Sequence, residues 1–102
     1  MKPKIVCLCG STKFKAAYLS ANFDETMKGN IVLSVGCFIH ADNIRINEEQ
    51  KIILDKLHLE KIKLADEILI LNVGGYIGYS TENEIIFAKK LGKKIRFWEE
   101  EK

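Results

Sequence analysis

Apolar residues are concentrated in four short segments of this chain, and longer stretches of mixed character separate them. The segments are Ile5 to Cys9, Ile31 to Val35, Glu67 to Val73 and Lys93 to Trp98. Short, mostly apolar runs are typical of strands that a parallel sheet buries on both faces. We therefore predict four strands.

The first and third intervening stretches have the apolar spacing of helices. The first helix begins near Lys13 and ends at Gly29. Its apolar face consists of Phe14, Ala17, Tyr18 and Ala21. The third helix covers Thr81 to Leu91, and Gly92 ends it.

A longer helix is predicted between the second and third strands. Asn47 is a suitable N-cap for it, and the pattern continues to about Ala65. Four of its side chains lie near one stripe: Ile53, Leu57, Glu60 and Leu64. The segment from Gly36 to Asn47 has no clear period, and we predict that it forms a loop over the site.

The resulting order of elements is βαβαβαβ. Right-handed crossovers then produce a parallel sheet with helices on both faces. We predict an α/β fold, a flavodoxin-like or Rossmann-like three-layer αβα domain. It has four to five parallel strands in the order 2-1-3-4, and residues 1–102 form a single domain. In this order the ligand site lies at the carboxyl ends of strands one and three.

Two glycine loops follow these same two strands. The first is Gly10-Ser11-Thr12, and the second contains Gly74, Gly75 and Gly78. Glycines let the backbone turn tightly and approach a ligand, and a helix N-terminus favours anions. Glu84 falls in the first turn of the helix that follows the second loop. The two loops together indicate a nucleotide or phosphosugar site.

Composition narrows the possible partners. The chain has 102 residues, of which 47% are hydrophobic and 29% charged, with a formal net charge of +2. This weak charge, with no Lys/Arg-rich run, argues against a nucleic acid polymer as partner. No apolar run is long enough for a membrane span, and Met1 to Lys4 lead into a strand without a signal peptide. Three cysteines without disulfide spacing indicate a reducing cytoplasm.

An ordered set of short motifs resembles the nucleoside 2-deoxyribosyltransferase superfamily. The motifs are Cys9-Gly10-Ser11 at the end of the first strand, Ala65-Asp66 before the third strand, Glu84, Ala88 and Gly92-Lys93. The resemblance covers nearly the whole chain and is greatest to the small 2'-deoxynucleoside 5'-phosphate N-hydrolases. It implies that the chain binds a nucleoside or nucleotide, needs no metal or organic cofactor, and forms a homodimer.

In that family the glutamate attacks the sugar C1' and forms a glycosyl-enzyme, which passes to water or to another base, as in retaining glycosidases. Glu84 is therefore the expected nucleophile. His58 stands where the N-hydrolases have a proton-transferring carboxylate, and Cys7 stands where they have a tyrosine that steers the nucleophile. The expected catalytic residues are Glu84 and His58. The expected substrate-binding residues are Gly10, Ser11, Lys13, Asn72, Gly74, Gly75, Gly78 and Thr81.

Within this set, we expect Ser11 and Lys13 to hold a 5'-phosphate and Asn72 to bind the sugar. Ser11 is equally able to act as a cap beside a solvated lysine, and Asn72 to start a turn. Tyr76 or Tyr79 is a possible replacement for the missing tyrosine.

Other residues also have structural alternatives. Thr81-x-x-Glu84 matches a helix capping box. A lone histidine such as His58 is typical of a helix position that faces solvent. His40 is typical of an exposed surface residue without a role in the site. We expect Cys7 and Cys9 to be core thiols rather than metal ligands, because no second Cys or His pair completes a site. The segment Glu99 to Lys102 is predicted to be a solvated end, and the alternative that the family resemblance implies is that it reaches the site of a neighbouring subunit.

The function therefore has one leading interpretation and two others. The leading one is cleavage or transfer of the N-glycosidic bond of a deoxynucleoside or its 5'-monophosphate. The second is a non-catalytic nucleotide-binding module that keeps the two loops. A third, weaker comparison is with the phosphoribohydrolases that release cytokinins, which are longer chains with a fuller Pro-Gly-Gly-Gly-x-Gly-Thr pattern.

Overall fold

Four parallel strands form one sheet in the order β2-β1-β3-β4, as the sequence predicts. The structure is a computed structural model and describes residues 2–101. The strands are β1 (Ile5–Cys9), β2 (Ile31–Leu33), β3 (Glu67–Ile70) and β4 (Lys94–Phe97). The central pair, β1 and β3, is buried along most of its length. The backbone N–H of Ile5 also donates to the Asp66 carboxylate at 2.8 Å, which fixes the two strands at their amino ends.

Within residues 2–101, four helices connect or follow the strands. They are α1 (Lys15–Met27), α2 (Glu48–Leu64), α3 (Tyr79–Lys90) and α4 (Trp98–Glu101). A short 3-10 turn, Val73–Gly75, lies between β3 and α3. The predicted cap of α2 is confirmed, because Asn47 and Gln50 exchange side-chain and backbone hydrogen bonds in a capping box.

The start of α3 differs from the prediction. The helix begins at Tyr79, with Gly78 as its N-cap in an extended conformation. Thr81 therefore lies in the first turn and Glu84 in the second turn, not the first. The predicted capping box of Thr81 and Glu84 is wrong, since both residues are inside the helix.

The last strand is shorter at both ends than the predicted Lys93 to Trp98, since β4 covers Lys94–Phe97. After Phe97 the chain turns into α4, so Trp98 is helical and not part of the strand. Trp98 is buried against the sheet, and the amide oxygen of Asn72 accepts a hydrogen bond from the Glu99 N–H at 3.0 Å. Glu99 and Glu100 are exposed, as expected of a solvated end, and Lys102 lies outside the described residues.

The strict alternation of strand side chains divides the core into two layers. Cys7 and Cys9 of β1 point to the layer under α2 and α3, whereas Val6 and Leu8 point to the layer under α1 and α4. The first layer contains Cys7, Cys9, Ile62, Ala65, Ile68, Ile70, Ile85 and Ala88. The second contains Val6, Leu8, Tyr18, Ala21, Leu69, Leu71 and Trp98. The fold is therefore a three-layer α/β fold.

Helix α2 faces the sheet with a different side from the predicted stripe. Its buried side chains are His58 and Ile62. The stripe of Ile53, Leu57 and Leu64 is instead half or more exposed. Among the helices of residues 2–101, none combines the length and hydrophobicity needed to cross a lipid bilayer.

Candidate functional site

A cavity of about 260 Å³ opens at the carboxyl ends of β1 and β3. The ligand site was predicted at these strand ends, so the fold places the cavity where α/β proteins bind ligands. The cavity brings together six of the predicted site residues: Gly10, Ser11, His58, Gly78, Thr81 and Glu84. Its volume is slightly below the usual range for ligand sites, which begins at about 300 Å³, and suits a small metabolite.

The loop after β1 passes very close to the end of β3. A Cβ atom added to Gly10 would lie 3.1 Å from the Leu71 carbonyl oxygen, and Gly10 has a φ of +158°. The Gly10 carbonyl accepts a hydrogen bond from the Tyr18 hydroxyl at 2.8 Å. Glycine is therefore required for the close approach of the two central strand ends, and Tyr18 holds the loop from α1.

The same loop is joined to the segment that covers the cavity. The Thr12 hydroxyl lies 2.6 Å from the His40 Nδ1 atom, and the His40 N–H donates to that hydroxyl at 3.3 Å. His40 is exposed, as predicted for a surface residue. It also lines the cavity, which that prediction did not include. Residues 36–47 contain no helix or strand, as predicted, and Gly36, Cys37 and Ile39 of this segment also line the cavity.

Four predicted substrate-binding residues lie outside the cavity lining: Lys13, Asn72, Gly74 and Gly75. The Lys13 ammonium stands 3.8 Å from the centroid of the Tyr76 ring, which faces the cavity. The Ser11 hydroxyl accepts from the Lys13 N–H at 3.3 Å and closes a turn, while Phe14 takes the N-cap position of α1. Gly74 and Gly75 have φ values of 62° and 82°, which suit the tight turn after β3.

A cluster of four side chains lies at the wall of the cavity: His58 and Glu84 line it, and the buried thiols of Cys7 and Cys9 lie behind them. The His58 Nε2 atom lies 3.9 Å from a Glu84 carboxylate oxygen. The same atom lies 3.4 Å from the Cys9 sulfur and 3.8 Å from the Cys7 sulfur. The imidazole therefore touches strand β1 on one side and helix α3 on the other. His58 is buried, contrary to the solvent-facing alternative, and its Nδ1 atom has no hydrogen-bond partner among the described residues.

The close packing of these groups changes their proton affinities. Burial raises the pKa of Glu84 to about 7, although the nearby His58 charge acts in the opposite direction. Burial also lowers the pKa of His58, but the Cys7 thiolate and Glu84 outweigh it, and the pKa is raised overall. At neutral pH the Glu84 carboxyl therefore exchanges readily between its two protonation states.

The two thiols have opposite shifts. A hydrogen bond with Cys9 and, to a smaller extent, the nearby His58 together lower the pKa of Cys7 to about 6 despite its burial. The same bond and burial raise the pKa of Cys9 well above its ordinary value. A single shared negative charge on the thiol pair is therefore favoured, held next to the imidazole.

Sequence reasoning missed several polar residues of the cavity. Lys51 and Asp55 form an ion pair at 3.0 Å, and the Lys61 ammonium donates to the Ser34 carbonyl at 2.6 Å. Lys51, Asp55 and Lys61 line the cavity. Lys51, Asp55 and His58 recur at helical spacing, and this polar stripe was the signal that could have identified them. Tyr18 was predicted only as part of an apolar face, and burial raises the pKa of its hydroxyl.

No model of a known protein family matches this chain, and no curated protein matches it either. A proposal for the function therefore depends on the geometry of the cavity.

Proposed function

We propose that the protein cleaves or transfers the N-glycosidic bond of a deoxynucleoside or a deoxynucleoside 5'-monophosphate, as the nucleoside 2-deoxyribosyltransferases do. One observation supports this most. The Glu84 carboxyl lies on the wall of a small cavity at the ends of the two central strands, and an imidazole stands 3.9 Å away. A carboxylate beside a proton donor is the minimal set for double displacement at a sugar carbon.

The proposed reaction has two steps. In the first, a Glu84 oxygen bonds to C1' while the bond from C1' to the base nitrogen breaks. The electron pair goes to that nitrogen, which takes a proton from His58. In the second, water or another base attacks C1' and frees the Glu84 carboxylate, and the proton of the attacking group returns to His58. We expect the substrate to widen the 3.9 Å gap, since the two groups of a retaining glycosidase stand about 5–5.5 Å apart.

The loop after β1 is the proposed site for the 5' end of the substrate. Ser11 and Thr12 line the cavity there. The Lys13 ammonium lies over the Tyr76 ring, at the same side of the cavity, in a cation–π contact. A bound phosphate offers this ammonium a stronger partner than the ring, so we expect Lys13 to leave Tyr76 when a monophosphate binds.

We also propose that the protein acts as a homodimer in the cytoplasm. The three thiols are free, which agrees with a reducing compartment. A dimer interface is supported by the apolar stripe on α2, where Ile53, Leu57 and Leu64 are 61%, 50% and 68% exposed.

A non-catalytic nucleotide-binding module is the second candidate. It is favoured by the pKa of Glu84, which burial raises to about 7. A carboxyl that is partly protonated at neutral pH is a weaker nucleophile and a better hydrogen-bond donor to a bound base. This module predicts tight binding measured by calorimetry and no free base after long incubation.

The deciding experiment is incubation with a panel of deoxynucleosides and their 5'-monophosphates, with free base measured by chromatography. If Glu84 attacks C1', Glu84→Gln should lower the rate by on the order of a thousandfold, equivalent to about 4 kcal/mol in the barrier. Glu82→Gln, an exposed change in the same helix, is the matched control and should keep the wild-type rate. Equal rates for Glu84→Gln and wild type would overturn the nucleophile assignment.

A further inference from the structure

Two thiols and an imidazole meet beside the cavity in a way that the glycosidic reaction does not require. The donor atoms of Cys7, Cys9 and His58 all lie within 4.8 Å of one another. The imidazole Nε2 atom is the common neighbour, at 3.8 Å and 3.4 Å from the two sulfurs. All three side chains are buried.

These separations are close to those of a tetrahedral zinc site. Zinc binds sulfur at about 2.3 Å and imidazole nitrogen at about 2.0 Å, which places sulfur and nitrogen ligands roughly 3.5 Å apart. The two observed sulfur-to-nitrogen distances of 3.4 Å and 3.8 Å bracket that value. Only small side-chain movements would be needed to place an ion between the three atoms.

We infer that Cys7, Cys9 and His58 form a binding site for a thiophilic divalent ion, Zn²⁺ in the first place. The fourth position faces the cavity, where the Glu84 carboxyl already stands 3.9 Å from Nε2. Thiolate, imidazole and carboxylate are the three ligand types that zinc uses in proteins. The cavity supplies the entry path past His58 and Glu84.

The backbone fixes this donor set without a local sequence motif. Cys7 and Cys9 are two residues apart on β1, so the alternation of the strand places both on the side under α2. His58 comes from α2, 49 residues beyond Cys9. The sequence argument against a metal site required a second Cys or His pair, and the fold instead provides one imidazole and one carboxylate.

The inference is independent of the proposed function, but the two have a joint consequence. An ion held by His58 and Glu84 occupies the nitrogen and oxygen that the glycosidic reaction uses. The loaded protein is therefore expected to be inactive toward nucleosides, and removal of the ion restores the reaction. Zinc thereby acts as an inhibitor at this site.

The test is cobalt titration of the reduced, chelator-treated full chain, with Co²⁺ as the probe for zinc. A site with two thiolates gives intense thiolate-to-cobalt charge-transfer absorption, and tetrahedral geometry gives strong visible bands. We expect both signals to saturate at one equivalent per chain and to disappear when Zn²⁺ is added. A weak octahedral spectrum without charge transfer would overturn the inference.

Single substitutions test which side chains bind the ion. Cys7→Ser, Cys9→Ser and His58→Asn should each weaken cobalt affinity by at least about tenfold and reduce or shift the charge-transfer band. Cys37→Ser is the matched control, because this third thiol is only partly buried and lies outside the cluster. It should keep the wild-type spectrum. Loss of the spectrum in Cys37→Ser but not in Cys7→Ser would assign the signal to the Cys37 thiol and overturn the inference.

A second measurement does not depend on how the variants fold. Thermal unfolding of the wild-type chain is followed with Zn²⁺, with Mg²⁺ and with chelator. At a hundredfold excess over Kd, Zn²⁺ should raise Tm by on the order of 10 °C. Mg²⁺, which prefers oxygen ligands, should leave Tm at the chelator value. Equal Tm values in all three conditions would contradict a folded-state zinc site.

Discussion

At the scale of single residues, the surroundings of a side chain, both its burial and its neighbours, explain the chemistry of the site better than residue identity does. Glu84 is an ordinary glutamate, yet burial raises its pKa to about 7. Cys7 is fully buried, yet its hydrogen bond with Cys9 lowers its pKa to about 6. These shifts arise because β1, α2 and α3 bring titratable groups together in a low-dielectric pocket. Clusters of this kind are frequent at functional sites.

The role of His58 leads to a prediction about rate. If His58 gives its proton to the departing base, His58→Ala should slow base release by about a hundredfold or more. His58→Asp, which supplies another proton carrier, should keep more activity than His58→Ala. The measurement is kcat/KM for release of free base, with chelator present.

Two controls separate proton transfer from damage to the fold. Lys56→Ala changes an exposed residue of the same helix and should keep the wild-type rate. Added imidazole should restore part of the activity of His58→Ala, because it can carry a proton into the space left by the side chain. A structural role alone predicts no such recovery, and an unchanged rate in His58→Ala would remove His58 from the mechanism.

At the scale of elements, Gly10 determines how closely the first loop approaches β3. Gly10→Ala should lower the free energy of unfolding by about 1–3 kcal/mol, because the new methyl group would meet the Leu71 carbonyl oxygen at 3.1 Å and the Leu71 Cβ at 3.2 Å. Leu71 is buried and cannot yield easily. Gly36→Ala is the control, since nothing lies within 4 Å of its added Cβ. Urea unfolding of both variants measures the difference, and equal stability would contradict the steric argument.

The elements that the sequence predicted best are those with a complete local signal. Strand β1 is uniformly apolar up to Gly10, and α2 has a cap at Asn47, so both boundaries were correct within a residue. The start of α3 was wrong, because Thr81 looks like a cap while the extended Gly78 acts as one. Trp98 was placed in a strand because periodicity does not reveal that the chain turns there to cover the sheet.

The face of α2 shows why pattern alone does not locate a site. This helix carries apolar residues on two sides, one with Ile53 and Leu57 and the other with Leu54 and Ile62. The spacing of the residues cannot show which of the two sides faces the sheet, since the apolar residues on both sides recur with the period of a helix. Only the packing against β1 buries the side with His58 and Ile62. The contact of His58 with Cys7 and Cys9 was therefore beyond the reach of the sequence.

An ion-pair network joins three elements on the opposite face of the sheet. The Arg96 guanidinium of β4 donates to Glu25 of α1 at 2.7 Å and to Glu67 of β3 at 2.9 Å. Lys28 and Asn30 also donate to Glu25. Burial acts to raise the pKa of Glu25, but these hydrogen bonds, above all those from Arg96, lower it to about 2.

This network predicts how stability depends on pH. The folded pKa of Glu25, about 2, is below the ordinary value of 4.5. The carboxylate therefore stabilises the fold fully above about pH 4.5, and the contribution is lost as the pH falls through about 2. The difference corresponds to roughly 3 kcal/mol at neutral pH.

Glu25→Gln tests this contribution by urea unfolding at several pH values. The variant should be less stable than the wild type at pH 7, and the two should converge in acid. Glu60→Gln is the control, because its carboxylate forms only an exposed ion pair with Lys63 and should matter by less than about 1 kcal/mol. A constant difference between Glu25→Gln and wild type at every pH would show that the effect is not electrostatic.

At the scale of the whole molecule, the exposed apolar side chains on α2 support the proposal that the partner is a second copy of the chain. The small sheet leaves α2 with its Ile53, Leu57 and Leu64 stripe in water, while the opposite side of the helix is used for the core. Burying such a stripe against another chain removes apolar area that one copy alone exposes. A two-fold arrangement also repeats the same stripe on both sides of the interface.

We therefore predict that the chain is a dimer held through α2. Light scattering coupled to size-exclusion chromatography should give twice the monomer mass of 11.6 kDa. Ile53→Glu should shift the mass to that of the monomer, because two-fold symmetry would bring the two new carboxylates close together in an apolar interface. Phe23→Glu is the matched control: Phe23 is 64% exposed but lies on α1, across the sheet, so the variant should stay dimeric. A wild-type chain that is monomeric at all concentrations would contradict the dimer. If Phe23→Glu dissociates while Ile53→Glu stays dimeric, the interface lies elsewhere than on α2.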